Sequence, residues 1–161
     1  MEGLFITGTD TGVGKTVVTA LIAHAMRCLG FRVGVMKPIA TGGQWENGRF
    51  ISPDAEFLQK TLALDDDPEL ISPIGLELPL APLVAAELAG VEIDLKQIWR
   101  AHRILESKYD NLIVEGIGGL MVPIKKGFLV ADLAKRFAQP LVIVARPGLG
   151  TINHTLLTIQ C

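Results

Sequence analysis

The stretch that most constrains the fold of this chain is Gly8-Thr9-Asp10-Thr11-Gly12-Val13-Gly14-Lys15-Thr16. It follows an apolar run at residues 3–8, which predicts a strand, and it opens a helical pattern over residues 15–29. A glycine-rich turn from strand to helix offers backbone N–H groups and the positive end of the helix dipole to an anion. The stretch therefore predicts a phosphate-binding loop, one residue longer than the standard pattern when counted from Gly8.

Lys15 and Thr16 supply the chemistry that such a loop needs. The Lys15 ammonium would neutralise the β- and γ-phosphates of a nucleotide, and the Thr16 hydroxyl would bind Mg²⁺. The predicted nucleotide contacts in this region are Gly12, Val13, Gly14, Lys15, Thr16 and Val17. The alternative is a tight strand-to-helix turn in which the lysine and threonine are incidental. Asp10 stands where ATPases of the partitioning and septum-placement group carry an extra lysine, which excludes that group.

The rest of the chain alternates short apolar runs with longer helical patterns, as is typical of a parallel α/β sheet. Further strands are predicted at 32–37, 111–115 and 141–145, and helices at 53–62, 82–88, 95–108 and from about 151 onwards. We predict a single domain over residues 1–161 that resembles the P-loop NTPases, a three-layer sandwich with helices on both faces of a parallel sheet. Because the last apolar helical pattern is still running at Cys161, we expect a domain truncated at its carboxyl end.

Four segments carry more specific expectations. The glycine-rich, polar residues 41–49 predict a loop, and Asp65-Asp66-Asp67-Pro68 predicts a solvated turn. The residues 141–145 are all apolar, which predicts a strand buried on both faces. Prolines and glycines interrupt the weakly charged stretch 139–161, so we predict strand, turn and helix there and no membrane span.

Composition excludes several classes of protein. The 161 residues are 49% hydrophobic and 20% charged, which is enough apolar material for a packed core. The 15 Lys and Arg residues against 17 Asp and Glu give a net charge of −2, so no basic excess favours a nucleic-acid partner. The two cysteines, Cys28 and Cys161, lack a metal-ligand spacing and suit a reducing, cytoplasmic compartment.

Two charged residues fall where predicted strands end. Lys37 ends the strand at 32–37, and Glu115 ends the strand at 111–115. Since the carboxyl ends of parallel strands gather at the edge where ligands bind, both side chains should lie near Lys15. Glu115 could hold Mg²⁺ directly or through water. The alternatives are a solvent-facing lysine and a turn acid satisfied by nearby N–H groups.

Two helix starts carry weaker signals. Asp54 follows Ser52, which could cap a helix that begins at Pro53, and first-turn acids are common for dipole reasons alone. The glycine-rich turn at residues 148–154 leads into the last helix and could receive a carboxylate or phosphate, or could be an ordinary helix start capped by Thr151.

Together these motifs resemble the dethiobiotin synthetase family. The resemblance rests on stretches in the family's order that span nearly the whole chain, at residues 7–16, 35–42, 52–55, 80–82, 114–123 and 149–154. It implies a homodimeric ligase of biotin synthesis that uses Mg²⁺ and ATP to convert 7,8-diaminononanoate and CO₂ or bicarbonate into dethiobiotin. CO₂ would form a carbamate on one amine, the γ-phosphoryl group would activate that carbamate, and the second amine would close the ring.

The resemblance also implies roles for individual residues. Lys37 would be the catalytic lysine, assisted by Lys15 and Thr11. Beyond the loop, the nucleotide contacts would be Asp54, Glu115, Gly116, Ile117 and Gly118. The substrate contacts would be Thr11, Lys37, Thr41, Gly118, Gly150 and Asn153, with Gly150 and Asn153 donated by the partner subunit. The Mg²⁺ ligands would be Thr16, Asp54 and Glu115.

Two other functions remain open at this point. One is a related P-loop amidoligase of the cobyrinate amidation type, and the other is a nucleotide-binding fragment without turnover. Lys37-Pro38 followed by Thr41-Gly42 favours the diamine substrate. Gly12 replaces a glutamate that some family members carry, which removes one carboxylate from the expected substrate site.

Overall fold

The structure, a computed structural model, describes residues 2–161. Its strands are β1 (Glu2–Gly8), β2 (Val33–Met36), β3 (Ile39–Thr41), β4 (Gln44–Glu46), β5 (Arg49–Ile51), β6 (Ile74–Leu76), β7 (Asn111–Gly119), β8 (Pro123–Lys125), β9 (Phe128–Leu129) and β10 (Leu141–Val144). Its helices are α1 (Lys15–Cys28), α2 (Pro53–Leu62), α3 (Pro68–Ile71), α4 (Pro82–Ala89), α5 (Leu95–Lys108), α6 (Val130–Phe137) and α7 (Thr151–Gln160). The predicted helices α1, α2, α4 and α5 match these bounds to within one residue.

The central sheet has the strand order β10-β1-β7-β2, and all of its pairings are parallel. In the register of these pairs, Ile6 lies beside Glu115 and Met36 lies beside Val114. The strand that carries Glu115 is therefore flanked by the strand that leads into the phosphate loop and by the strand that leads into Lys37. Three separate motifs of the sequence meet at one sheet edge for this reason.

Each face of the sheet carries its own apolar core, because side chains alternate along a strand. On β1, the buried Phe5 belongs to the core shared with α4, α5 and α6, whereas the buried Ile6 belongs to the core shared with α1 and α2. Helices thus cover both faces. The predicted three-layer arrangement is confirmed.

Local signals explain where the helices near the site begin. Gly14 precedes α1 with a φ of 97°, a left-handed conformation that glycine adopts without strain. The Ser52 hydroxyl accepts a hydrogen bond from the Ala55 N–H at 3.2 Å, and Pro53 takes the first position of α2. The predicted cap is confirmed, and it fixes the start of the helix that carries Asp54.

The predicted loop at residues 41–49 is wrong in part, because β4 and β5 form an antiparallel hairpin there. Trp45 lies opposite Phe50, with their ring centroids 5.6 Å apart. Between the strands, Asn47 and Gly48 both have positive φ values, 50° and 79°. Two such residues make the tight turn that suits the twist of a hairpin, and Asn-Gly is its strongest local signal. The loop was predicted from the polar, glycine-rich composition alone, which does not distinguish a hairpin from a loop.

The predicted solvated turn at residues 65–68 is wrong for Asp66, which is buried. Its Oδ1 accepts a hydrogen bond from Lys108 Nζ at 2.8 Å, and its Oδ2 accepts one from the Tyr109 hydroxyl. Burial, and then the hydrogen bond to Asp66, raises the pKa of Tyr109, so its hydroxyl stays a donor. These bonds tie the segment before α3 to the end of α5.

The stretch 139–161 forms the predicted strand and helix, β10 and α7. No helix within residues 2–161 is long and apolar enough to cross a membrane. The prediction that β10 is buried on both faces is wrong, since Leu141 is 48% exposed and only Val144 is buried. The reason is that β10 pairs with β1 alone in the described part of the chain, which makes it an edge strand.

Candidate functional site

The phosphate loop between β1 and α1 depends on glycine for space as well as for conformation. A Cβ at Gly8 would lie 2.8 Å from Val13 Cγ2 and 2.9 Å from the Asp10 carbonyl oxygen. Gly12 has a φ of 72°, in the left-handed region. The spacing of glycines in the motif therefore follows from close packing at its start and from backbone curvature in its middle.

Lys15 is the first residue of α1, and its side chain folds back over the loop. It is buried, and its Nζ donates to the Asp10 carbonyl oxygen at 3.0 Å. Burial, followed by the positive charge of Lys37, lowers the pKa of Lys15. A phosphate group at this position would supply the negative charge that favours the ammonium form.

Glu115, on β7, is the centre of the site. It is fully buried, and its Oε1 accepts hydrogen bonds from Lys37 Nζ at 2.7 Å and from the Thr16 hydroxyl at 2.8 Å. Its Oε2 is also buried and has no hydrogen-bond partner among the described residues. An unpaired carboxylate oxygen in a buried position is costly, so this atom is a candidate ligand position.

Lys37 follows directly after β2 and is shared between two carboxylates. Its Nζ lies 2.6 Å from Asp54 Oδ2 and 2.7 Å from Glu115 Oε1. Burial by itself would lower the pKa of Lys37, but the charges of Glu115 and Asp54 outweigh burial and raise that pKa overall. Lys37 therefore stays charged. The Asp54 side chain is half exposed and connects this buried group to the open side of the site.

These side chains share an open cavity of about 420 Å³. The predicted site residues that line it are Thr11, Gly12, Gly14, Lys15, Thr16, Val17, Lys37, Thr41, Asp54, Glu115, Ile117 and Gly118. Val13 and Gly116 lie outside this lining. Val13 packs against the core beneath α1, and a Cβ at Gly116 would lie 3.0 Å from the Phe5 ring.

The oxygen atoms in this cavity fit a hard divalent cation. The Thr16 hydroxyl and the carboxylates of Asp54 and Glu115, with the unpaired Glu115 Oε2, are the ligand types that Mg²⁺ prefers. Within the described chain, no three His, Cys, Asp or Glu side chains form a metal cluster by themselves. Phosphate oxygens and water would therefore complete the coordination, as in other nucleotide sites.

The whole described chain has known relatives. Residues 2–161 match the family model described as an AAA domain. The ATP-dependent dethiobiotin synthetase of Thermodesulfovibrio yellowstonii is 47% identical over 98% of this chain and 69% of its own length. The corresponding proteins of Methanocaldococcus jannaschii and Bacillus cereus are each 45% identical, over 98% and 99% of this chain and 72% and 64% of their own lengths. The chain belongs to the dethiobiotin synthetase family.

A solved structure outside the dethiobiotin synthetases shares the fold. The chain resembles a protein of the MinC:MinD cell division complex of Aquifex aeolicus with a TM-score of 0.52 at 20% identity, over 99% of this chain and 62% of that one. At this identity the likeness concerns the fold alone.

Two residues predicted from the dethiobiotin synthetase resemblance lie away from the cavity. Gly150 precedes α7 and Asn153 lies in its first turn, and both are exposed. The resemblance places them in the site of a partner subunit. Their role stays a prediction.

One contact beside the phosphate loop was not predicted from the sequence. Arg146, in the turn after β10, has its Nη2 3.1 Å from Asp10 Oδ2 and 3.2 Å from His154 Nδ1. A charged residue shortly after a parallel strand was the available signal, and a similar signal had identified Lys37.

Proposed function

We propose that this chain binds ATP and catalyses the formation of dethiobiotin from 7,8-diaminononanoate and CO₂ or bicarbonate, a step of biotin synthesis. The observation that carries the proposal is the pair of buried lysines, Lys15 and Lys37, in one cavity with Glu115. Family membership supports the same reaction, since the relatives named above are ATP-dependent dethiobiotin synthetases. It favours this reaction over an amidoligase of the cobyrinate type.

The phosphate loop and the start of α1 would bind the triphosphate. The Lys15 ammonium would exchange the Asp10 carbonyl for a phosphate oxygen, which also relieves the effect of burial on its charged form. Thr16, Asp54 and Glu115 would hold Mg²⁺. When bound, Mg²⁺ would neutralise phosphate charge and orient the γ-phosphoryl group.

Lys37 would act on the carbamate. One amine of the diamine adds to CO₂ and loses a proton, which gives a carbamate. A carbamate oxygen then attacks the γ-phosphorus as ADP leaves, and the second amine attacks the carbamate carbon as phosphate leaves. Negative charge crowds the carbamate and phosphoryl oxygens during transfer, and the Lys37 ammonium is a preorganised positive charge for that moment. Glu115 and Asp54 keep Lys37 protonated by raising its pKa.

The diamine would lie on the loop side of the same cavity. Thr11, Thr41 and Gly118 line it and would contact the amines or the carbamate. Gly150 and Asn153 of a second subunit would receive the substrate carboxylate, so we include a homodimer in the proposal. Their exposure at the start of α7 is compatible with contact to a partner.

We also place this activity in the cytoplasm. Both cysteines, Cys28 and Cys161, are free thiols at exposed positions. Exposed thiols persist in a reducing compartment, which supports this assignment.

The test is mass-spectrometric detection of dethiobiotin after incubation of the purified chain with 7,8-diaminononanoate, bicarbonate, Mg²⁺ and ATP. We expect a product that requires ATP and incorporates label from ¹³C-bicarbonate. ADP binding is measured in parallel by calorimetry. Binding without product would reject the ligase and leave a nucleotide-binding protein, whereas the absence of both would reject the site itself.

A further inference from the structure

We propose that Arg146 is a positioning residue that couples the phosphate loop to helix α7. The Nη2 atom of its guanidinium lies between the two, 3.1 Å from Asp10 Oδ2 and 3.2 Å from His154 Nδ1. Arginine only donates hydrogen bonds, and Nη2 carries two hydrogens, so it can serve both acceptors at once. The proposal rests on nucleotide binding at the loop, as proposed above.

On the loop side, Asp10 holds two residues assigned to the site. Its Oδ1 accepts a hydrogen bond from the Thr11 N–H at 2.7 Å, and its carbonyl oxygen accepts one from Lys15 Nζ at 3.0 Å. Any movement of Lys15 towards a phosphate therefore releases one of the contacts of Asp10. The Asp10 carboxylate is also a negative charge beside a phosphate site, and the Arg146 guanidinium offsets it.

On the helix side, α7 is lightly packed. None of its residues is buried against the described chain, and Leu156 and Leu157 are 54% and 58% exposed. The backbone N–H of His154, whose side chain contacts Arg146, donates a helical hydrogen bond to the Gly150 carbonyl oxygen at 3.1 Å. The Arg146 contact is therefore one of the few side-chain contacts that hold the start of α7 in place.

The Arg146 contacts would couple phosphate binding at the loop to the ordering of α7. If the position of Arg146 depends on which contacts Asp10 makes, then phosphate binding at the loop orders α7. Ordering of α7 then strengthens phosphate binding by the same factor. The effect is expected to be modest, because the Arg146 and Asp10 side chains are 46% and 53% exposed.

The test is amide hydrogen exchange of the full chain, free and with Mg²⁺ and ADP, in the wild type and in Arg146→Gln. In the free protein we expect faster exchange of α7 and of the loop in the variant. ADP should slow the exchange of α7 in the wild type and fail to do so in Arg146→Gln. ADP affinity should fall about threefold, the size of effect expected for an exposed ion pair. Adding Asp10→Asn to Arg146→Gln should restore the affinity, since the uncompensated charge is then gone.

Arg32→Gln is the matched control, because Arg32 is an exposed arginine near Asp110 at the opposite end of the sheet. It should change neither α7 exchange nor ADP affinity. Unchanged α7 exchange in free Arg146→Gln overturns the proposal, and so does equal protection by ADP in both proteins. If the wild type does not bind ADP, the proposed function fails, and unchanged loop exchange in the free variant then overturns the coupling separately.

Discussion

Glu115 and Asp66 are both buried carboxylates that bind one lysine and one hydroxyl, yet they serve the molecule differently. Asp66 uses both oxygens, with Lys108 on Oδ1 and Tyr109 on Oδ2. This carboxylate has a partner on each oxygen, so it joins the segment before α3 to the end of α5 and contributes to the fold.

Glu115 places both of its partners, Lys37 and Thr16, on the same oxygen. Its second oxygen stays buried without a partner in the described chain. The two carboxylates are thus both buried and both paired with a lysine, although Lys37 is buried and Lys108 is 46% exposed. What separates a ligand site from a structural ion pair here is the unpaired Glu115 oxygen, since both carboxylates line a cavity.

The largest expected difference between the two regions is in turnover. Lys37→Gln removes the ammonium from the cavity and should lower kcat by roughly 10²–10³-fold, as loss of one preorganised donor typically does. ADP binding, followed by calorimetry, should change little. Lys108→Gln is the matched control at Asp66, and its dethiobiotin formation should equal that of the wild type. Equal turnover of Lys37→Gln would remove Lys37 from the mechanism.

The reverse difference is expected in stability. Asp66→Ala leaves the Lys108 ammonium and the Tyr109 hydroxyl without their acceptor and should lower the free energy of unfolding by about 2 kcal/mol. Urea denaturation measures this loss. ADP affinity, which reports on the candidate site, should stay unchanged. A variant as stable as the wild type would show that the Asp66 contacts do not contribute to the fold.

A third difference concerns the cation. Glu115→Gln keeps the shape of the side chain but removes a charged oxygen ligand, so the Mg²⁺ concentration for half-maximal activity should rise at least tenfold, the lower limit typical for partners of metal ligands. The test is a Mg²⁺ titration at saturating ATP, with Asp66→Asn as control. An unchanged titration would make Glu115 a structural residue like Asp66.

The smallest effect comes from His102, whose Nε2 is also buried and unpaired in the described chain but faces aromatic rings instead of the cavity. Burial lowers the pKa of His102, and Glu106 offsets this only in part. The unfolded chain therefore binds the proton more readily. The fold is favoured above the ordinary histidine pKa of 6.5, where the imidazole is neutral in both states, and this stability is lost as the pH falls below that value. As the pH is lowered from about 7.5 to about 5.5, the urea midpoint of the wild type should decrease relative to that of His102→Gln. A constant difference between the two proteins would contradict this assignment.

The parts of the site that sequence reasoning found share one physical cause. Lys37 and Glu115 each follow or end an apolar run, Lys15 closes the loop that follows another, and parallel pairing brings such positions to one edge. The phosphate loop could be predicted because its glycines, lysine and threonine are adjacent in sequence. Ser52 and the bounds of α2 followed from local capping rules.

The features that were missed depend on contacts between distant segments. No sequence pattern near Asp66 predicts that Lys108 and Tyr109 bind its carboxylate. The link from Asp10 to Arg146 spans most of the chain and exists only after β10 pairs with β1. The exposure of Leu141 likewise depends on whether a further strand pairs with β10, which its apolar composition does not reveal.

The Asn47-Gly48 turn of the β4–β5 hairpin is a site of slow deamidation. Both residues are exposed, and glycine leaves its backbone nitrogen free to attack the preceding asparagine side chain. Loss of ammonia and hydrolysis then yield aspartate or isoaspartate at residue 47. Isoaspartate inserts an extra atom into the backbone, and the two-residue turn has no room for it. Stored protein should therefore age first at this hairpin, where the pairing of Trp45 with Phe50 would loosen while the phosphate loop is still intact.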